Sequence, residues 1–196
     1  MRRASLLSAA LAACACVALT GSLSAADVAA GKEKAEICAG CHGDNGVSQT
    51  ENIPSLAAQP DMFLQWQLVF FRSGARKDEQ MQAIVADLSN TDIQNLGAYF
   101  ASLPPPPKTP DDKPDLSKAG AQAAVGRRCA SCHTDNFAGI KATARLADQR
   151  EEYLLKALHD YKSGVRSGGG GAAMTDVAYA LSEEEITALA HYLSHL

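Results

Sequence analysis

The chain has 196 residues, with 18 basic and 22 acidic side chains and a formal net charge of -4. An acidic balance of this kind provides no positive surface for the phosphate backbone of DNA or RNA, so nucleic-acid binding is excluded as the main function. Two of the six cysteines lie in an apolar N-terminal stretch, and the other four form two short motifs further along the chain.

The first 26 residues predict a secretory signal peptide. Two arginines precede an apolar run over residues 6–19, and small residues precede Asp27, as signal peptidase requires. The run is shorter than the roughly 20 residues that span a bilayer, so we expect no strong membrane anchor. Export would deliver the chain to the periplasm of a Gram-negative cell. A lipid anchor on Cys14 is an alternative, which the apolar residues beyond Cys14 disfavour.

The pentapeptide Cys-x-x-Cys-His occurs twice, a pattern typical of covalent c-type haem attachment. It is formed by Cys38, Cys41 and His42 in the first half and by Cys129, Cys132 and His133 in the second. Two thiols at this spacing reach the two vinyl groups of one porphyrin, while the adjacent imidazole turns onto the iron. The sequence therefore predicts two haems c, and electron transfer as the function.

Two other chemistries use closely spaced cysteines, and both fit less well. A thioredoxin-like disulfide needs a strand–helix–strand context, which surrounds neither motif. A zinc site would have to join four thiolates and two imidazoles from motifs far apart in the chain, which exceeds the four ligands of a tetrahedral site. Haem accounts for both histidines, whereas zinc does not.

A Pro-rich stretch divides the chain. Residues 104–115 contain six of the eight prolines, so we predict an extended, fairly stiff linker between domains at 27–103 and 116–196. The two halves also repeat each other, with Leu-Ala-x-Gln and Ser-Gly-x-Arg following each motif at matching distances. The first half carries net charge -5 and the second -2, so the halves present different fields to partners.

Each half is predicted to be helical and to lack strands. Apolar residues recur at helical spacing over 63–71 and 93–103 in the first half, and over 153–161 and 186–196 in the second. Ser182 and Glu185 form a capping box at the start of the last helix. A unit of about 80 residues is small for an independent apolar core, and haem would supply the missing filling.

The sixth ligand of each iron decides between an electron carrier and an open, reactive site. The repeat aligns Met81 with Met174, and each precedes the last helix of its half. These are the predicted axial ligands opposite His42 and His133, with Met174 in a Gly-rich, non-helical stretch. Met62 is expected to fill the core of the first half.

Three histidines, two arginines and the single tryptophan are not predicted to bind the haem irons. His159, His191 and His195 have no counterparts in the first half and are expected to lie on the surface. Arg76 and Arg166 either pair with haem propionates or are surface charges at helix ends. A core or interface role is expected for Trp66.

The motifs resemble those of di-haem class I cytochromes c of the cytochrome c4 family over nearly the whole exported chain. The resemblance rests on Cys-Ala-Gly-Cys-His-Gly-Asp-Asn-Gly at 38–46, Ile-Pro-Ser-Leu-Ala-Ala-Gln at 53–59 and the segment from Gln149 to Arg166. It implies an all-α fold of two tandem class I cytochrome c domains, each with a His/Met-ligated haem. It also implies a one-electron carrier, not an enzyme, with a cytochrome bc complex and a terminal oxidase as partners.

In similar cytochromes a proline carbonyl accepts the N–H of the iron-ligating histidine, and Pro54 stands at that position. Ala144 occupies the aligned position in the second half, which leaves the rigid placement of that carbonyl open. Two other functions are open to a chain with two haems. One is the cytochrome subunit of an enzyme complex such as a flavocytochrome sulfide dehydrogenase, and the other is a haem peroxidase or gas sensor with an open iron.

Overall fold

A computed structural model describes residues 25–168 and 170–196. The predicted signal peptide, with Cys14, therefore lies outside the described residues except for its last two positions. Ten helices occupy the described part of the chain, and no strand is found there. None of these helices is long and apolar enough to cross a membrane.

The first half contains five helices. They are α1 Val28–Lys34, α2 Glu36–His42, α3 Asp61–Arg72, α4 Glu79–Val85 and α5 Asn90–Ser102. The helices α3 and α5 confirm the two apolar periodicities predicted for this half. The helix α5 begins at a capping box between Ser89 and Asp92, which satisfies two backbone N–H groups at once.

The second half repeats this order. Its helices are α6 Pro114–Gly126, α7 Ala130–His133, α8 Glu151–Lys162, α9 Ala172–Tyr179 and α10 Glu183–Ser194. The predicted capping box of Ser182 and Glu185 is present at the start of α10. The helix α6 begins at Pro114, inside the predicted linker, because proline is well suited to the first position of a helix, where its missing N–H costs nothing.

Each half has its own apolar cluster. The first is built around Leu64, Phe71, Leu96 and Phe100, and the second around Phe137, Leu154, Ile186 and Leu189. In both halves the first and last helices cross at a glycine. A Cβ on Gly31 would collide with the carbonyl of Asn95, and one on Gly120 with the carbonyl of Ala188. The crossing fixes the scaffold around which the haem motifs are arranged.

Candidate haem sites

The helix α2 carries the first Cys-x-x-Cys-His motif on one face, because residues three and four apart are neighbours on a helix. Cys38 and Cys41 are partly buried and unpaired, and His42 is buried. Burial, with a smaller contribution from Cys41, raises the pKa of the Cys38 thiol to about 11. This thiol is therefore neutral at physiological pH in its apolar site.

The second motif is held in the same way by α7 and the residue before it. Cys129 is partly buried, Cys132 is exposed, and both are unpaired, while His133 is buried. Burial also raises the pKa of the Cys129 thiol. The chain leaves α7 at Thr134, whose φ of 70° turns the backbone sharply away from the motif.

Both histidines are oriented by a backbone carbonyl. The Nδ1–H of His42 donates to the carbonyl oxygen of Pro54 at 2.8 Å, and that of His133 donates to the carbonyl oxygen of Ala144, also at 2.8 Å. Burial lowers the pKa of both imidazoles despite these hydrogen bonds. A neutral ring with its proton on Nδ1 leaves the Nε2 lone pair available for a metal.

A single apolar cavity runs across both halves and is lined by His42, His133, Met81 and Met174. The two methionines are partly buried and lie on short helices, Met81 on α4 and Met174 on α9. The prediction that Met174 lies in a non-helical stretch is therefore wrong. The glycine-rich segment ends at Gly171, the N-cap of α9, so the glycines lead into the helix and do not contain the methionine.

The residues around this cavity fit two covalently bound haems. Each half contributes one buried imidazole with a free Nε2 and one methionine sulfur to the lining, and the first half also contributes the thiols of Cys38 and Cys41. The two thiols of the second half belong to the same motif as His133, and the remaining lining is mostly aliphatic and aromatic. Such a donor set matches the axial ligands and apolar surroundings of class I cytochromes. The continuity of the cavity brings the two haem sites together at the contact between the halves.

Two apolar side chains of α3 lie largely at the surface. Met62 is 48 % exposed, so the prediction that it fills the core is wrong, and Trp66 is 46 % exposed, which contradicts a core role but not an interface role. The ring of Trp66 stacks on that of Phe70, with centroids 5.4 Å apart. The buried residues of α3 are Leu64 and Phe71. Met62 and Trp66 therefore lie outside the face of the helix that packs against the core.

Two glutamines join the halves in a reciprocal way that the sequence repeat did not suggest. Gln59 donates through Nε2 to the carbonyl of Arg145 at 2.9 Å, and its Oε1 accepts the Arg145 N–H at 3.0 Å. Gln149, its counterpart in the repeat, makes the same pair of bonds with Ser55 at 2.9 and 2.8 Å. The two pairs place a pseudo-two-fold axis between the halves.

A second set of contacts between the halves lines the cavity. The hydroxyl of Tyr153 is approached by Nη2 of Arg76 at 3.3 Å and by Nη1 of Arg166 at 3.2 Å, and both guanidinium groups also donate to Oε1 of Gln67. Burial alone would raise the pKa of Tyr153, but the charges of Arg166 and Arg76 outweigh it and lower the pKa to about 7. Arg166 is only 8 % exposed, so the surface interpretation of this residue is wrong.

The histidines outside the motifs divide into two groups. His159 is exposed and bonded to Glu183, which confirms its surface prediction. His191, in contrast, is fully buried, and His195 is partly buried beside it, so the surface prediction is wrong for both. The carboxylates that accept from His191 come from positions 40 and 80 residues away, which no local pattern in the sequence reveals.

Comparison with known proteins agrees with this architecture. The cytochrome c family model matches residues 117–196. A cytochrome c4 from Pseudomonas aeruginosa is 34 % identical over 188 residues, covering 91 % of this chain and 93 % of the relative. This chain belongs to the cytochrome c4 family. The crystal structure of reduced cytochrome c4 from Pseudomonas stutzeri matches with a TM-score of 0.79 at 30 % identity, covering 88 % of this chain and all of the other.

Membership of the cytochrome c4 family fixes the fold, the cofactors and the general role. The chain is a two-domain class I cytochrome c, it carries two covalently bound haems c, and it is an electron-transfer protein, not an enzyme. The predictions of fold class, haem content and electron transfer are thus confirmed. A thiosulfate dehydrogenase electron acceptor from Thiomonas intermedia is also similar, at 29 % identity over 85 % of this chain and 81 % of the relative.

Proposed function

We propose that His42 and Met81 close the first haem iron, that His133 and Met174 close the second, and that the protein carries single electrons in the periplasm. Cys38 and Cys41 would form the thioethers of the first haem, and Cys129 and Cys132 those of the second. The observation that carries the proposal is that each half turns one buried imidazole and one methionine toward the same apolar cavity. We assign the two haem units to residues 27–103 and 116–196, with the helix α6 beginning two residues earlier, at Pro114.

A bound haem supplies an iron that accepts and releases one electron between its ferric and ferrous forms. The chain's own residues keep the structural change that accompanies electron transfer small. The carbonyls of Pro54 and Ala144 hold each imidazole in one orientation, so the ligand does not turn when the charge changes. Methionine as the opposite ligand favours a relatively high potential. The glutamine pairs between the halves hold the two sites in one fixed relation.

The proposed role is transfer between a cytochrome bc complex and a terminal oxidase. It is supported by the N-terminal pattern of an exported protein and by family membership. Two adjoining sites suit such a carrier because one can receive an electron from a donor while the other faces an acceptor. The unequal net charges of the halves, -5 and -2, give the two ends different electrostatic surfaces for this purpose.

A second candidate is the electron-accepting subunit of a sulfur-oxidising enzyme complex. It is favoured by the similarity to a thiosulfate dehydrogenase electron acceptor, and it refines the earlier alternative of a flavocytochrome sulfide dehydrogenase subunit. The two candidate functions differ in whether the protein is permanently bound to a partner enzyme. A mobile carrier should elute alone from a sizing column of native periplasmic extract, whereas a subunit should elute with its enzyme.

Carbon monoxide tests the ligand assignment, because it binds ferrous haem only where a coordination position is open. The reduced wild-type protein should show no spectral change with carbon monoxide. Met81→Ala and Met174→Ala should each bind one equivalent per chain, since each opens one of two irons. The double variant should bind two.

Met62→Ala is the matched control, because Met62 lies in the same half as Met81 but is half exposed on α3. It should bind no carbon monoxide. Binding by the wild-type protein would contradict the closed-iron proposal and revive the sensor interpretation. Failure of either single variant to bind would mean that the substituted methionine is not a ligand.

A further inference from the structure

A second group of metal-ligating side chains lies where the linker crosses the last helix. His191 near the end of α10 and His195 just beyond it are one helical turn apart, and Asp111 and Asp112 come from the linker. Ligand atoms of Asp112, His191 and His195 all lie within 4.8 Å of one another. Nε2 of His191 is 3.0 Å from Oδ1 of Asp111 and 4.0 Å from Oδ1 of Asp112. None of these residues lines the haem cavity.

In each of the two imidazoles Nδ1 is hydrogen-bonded within the protein, which leaves Nε2 as the nitrogen that can bind a metal. His191 is fully buried, and its Nδ1–H donates to Oε2 of Glu151 at 3.0 Å, which turns Nε2 toward the linker. A carboxylate behind a histidine in this way is the usual outer partner of a metal-bound imidazole. The Nδ1–H of His195 donates to the carbonyl of His191 at 2.8 Å, so its lone pair lies on Nε2.

We propose that His191, His195, Asp111 and Asp112 form a binding site for one divalent transition-metal ion of the zinc class, which ties the linker to the last helix. Two imidazoles with one or two carboxylates are a common ligand set for Zn²⁺. Binding releases the proton from Nε2 of His191, and both aspartates become available as oxygen ligands. The metal would take the place of that proton between the ring and the carboxylates.

The separations of the two aspartates from Nε2 of His191 are close to those of a zinc site. Ligand atoms on tetrahedral zinc lie about 3.3 Å apart, since each bond is about 2.0 to 2.1 Å long. Nε2 of His191 and Oδ1 of Asp111 are already 3.0 Å apart. The carboxylate of Asp112 has to move inward by about 0.7 Å to reach the same separation from Nε2 of His191. Its side chain is 71 % exposed and is free to make that movement.

The negative charge around His191 also favours the binding of a divalent cation. Three carboxylates, those of Asp111, Asp112 and Glu151, surround the buried ring of His191. Among the residues that the structure describes, no lysine or arginine forms an ion pair with any of the three. A divalent cation would balance this excess of negative charge more fully than one proton does.

Calorimetric titration of the holoprotein with ZnCl₂ at pH 7.5 tests the site, with both haems in place and any affinity tag removed. Zinc is the probe of choice because it does not exchange electrons with haem. The wild-type protein should bind one equivalent per chain. His195→Ala and Asp112→Asn should each weaken binding at least tenfold, by analogy with the 10- to 100-fold losses known for less direct partners of a metal. His191 is left intact because its burial makes it part of the core.

His159→Ala is the matched control, since His159 is an exposed histidine with a carboxylate partner on the same half of the molecule. It should bind zinc as the wild-type protein does. The haem absorption spectrum of every variant should be unchanged, which separates loss of metal from loss of fold. The proposal is overturned if the wild-type protein shows no saturable binding. It is also overturned if His195→Ala retains the wild-type affinity, or if His159→Ala loses it.

Discussion

The loops that follow the two Cys-x-x-Cys-His motifs begin with turns at corresponding positions but are built from different residues. In the first half Gly43 and Gly46 adopt positive φ angles of 81° and 69°. In the second half Thr134 and Phe137 do so, at 70° and 53°. A left-handed conformation is easy for glycine and costs other residues about 1 kcal/mol or more. The second loop must therefore be held in place by stronger contacts than the first.

Aromatic packing provides part of this support. In the first half the ring of Phe100, from α5, lies over Gly46, where a Cβ would approach it to 3.0 Å. In the second half Phe137 supplies the ring from the loop itself and meets Tyr192 edge-on at 6.0 Å. Both phenylalanines are buried. A buried phenylalanine thus comes from the helix α5 in the first half and from the loop in the second.

The carbonyl that orients the histidine is also placed by different means. Proline fixes the backbone at Pro54, whereas the carbonyl of Ala144 follows a tight turn in which Ile140 and Thr143 exchange backbone hydrogen bonds. Gly139 lies directly against this turn with φ of 71°, and a Cβ there would lie 2.5 Å from the oxygen of Ala144. One half relies on a rigid residue, and the other relies on close packing.

The largest effect is expected when this close packing is broken. Gly139→Ala should destabilise the protein by about 2 to 4 kcal/mol, because the new methyl group collides with the turn and alanine is strained at positive φ. It should also shift the potential of the second haem by displacing the Ala144 carbonyl from His133. Denaturant unfolding and redox titration measure the two effects.

Two controls sharpen this comparison. Gly126→Ala, at the end of α6 and with open space around its Cβ position, should be neutral or slightly stabilising. Pro54→Ala should cost only about 0.4 to 1 kcal/mol, mainly through a more flexible unfolded chain. If Pro54→Ala proved as damaging as Gly139→Ala, the two carbonyls would not be held by different means.

The glutamines between the halves allow a second comparison, with an intermediate effect. The bonds of Gln149 to Ser55 are buried, whereas those of Gln59 to Arg145 are partly buried. Gln149→Ala should therefore cost about 1 to 3 kcal/mol, because water reaches the abandoned backbone groups poorly, and Gln59→Ala should cost less. Unfolding free energies of the two variants test the order.

The exposed Gln94 on α5 provides the control, and Gln94→Ala should leave stability nearly unchanged. The losses of the two interface variants should add in the double variant if the pairs act independently. Equal losses for Gln59→Ala and Gln149→Ala would show that the difference in burial has no energetic consequence.

The sequence was sufficient where function depends on neighbouring residues. The Cys-x-x-Cys-His motifs predicted the haems, and the apolar periodicities predicted α3, α5, α8 and α10. It failed where the outcome depends on residues far apart in the chain. The burial of His191 requires Glu151 and Asp111, and the cluster at Tyr153 requires guanidinium groups from both halves. Local sequence patterns carry no information about contacts between such distant residues.

The smallest change in stability is expected at the capping boxes of α5 and α10, the last helix of each half. The two boxes differ in the basic residue that contacts them. Arg127 makes two hydrogen bonds to Glu185, at 3.0 and 2.8 Å, whereas Lys34 contacts Asp92 once, at 3.3 Å. The bond from Arg127 is the main cause that lowers the pKa of Glu185, while the bond from Ser89 is the main cause at Asp92. Arg127→Ala should therefore reduce stability more than Lys34→Ala, and both losses should be smaller than those above.

The pH dependence of these variants has a definite sign. A carboxyl group whose pKa is lowered by folding stabilises the native state above its unfolded pKa, near 4.5 for Glu185, and this contribution disappears as the pH falls through the folded value. The difference between wild type and Arg127→Ala should thus be present at pH 7 and shrink below pH 4.5. High salt should reduce it at pH 7, since the pair is exposed. A difference that persisted unchanged in acid would mean that Arg127 acts through packing of its aliphatic stem and not through its charge.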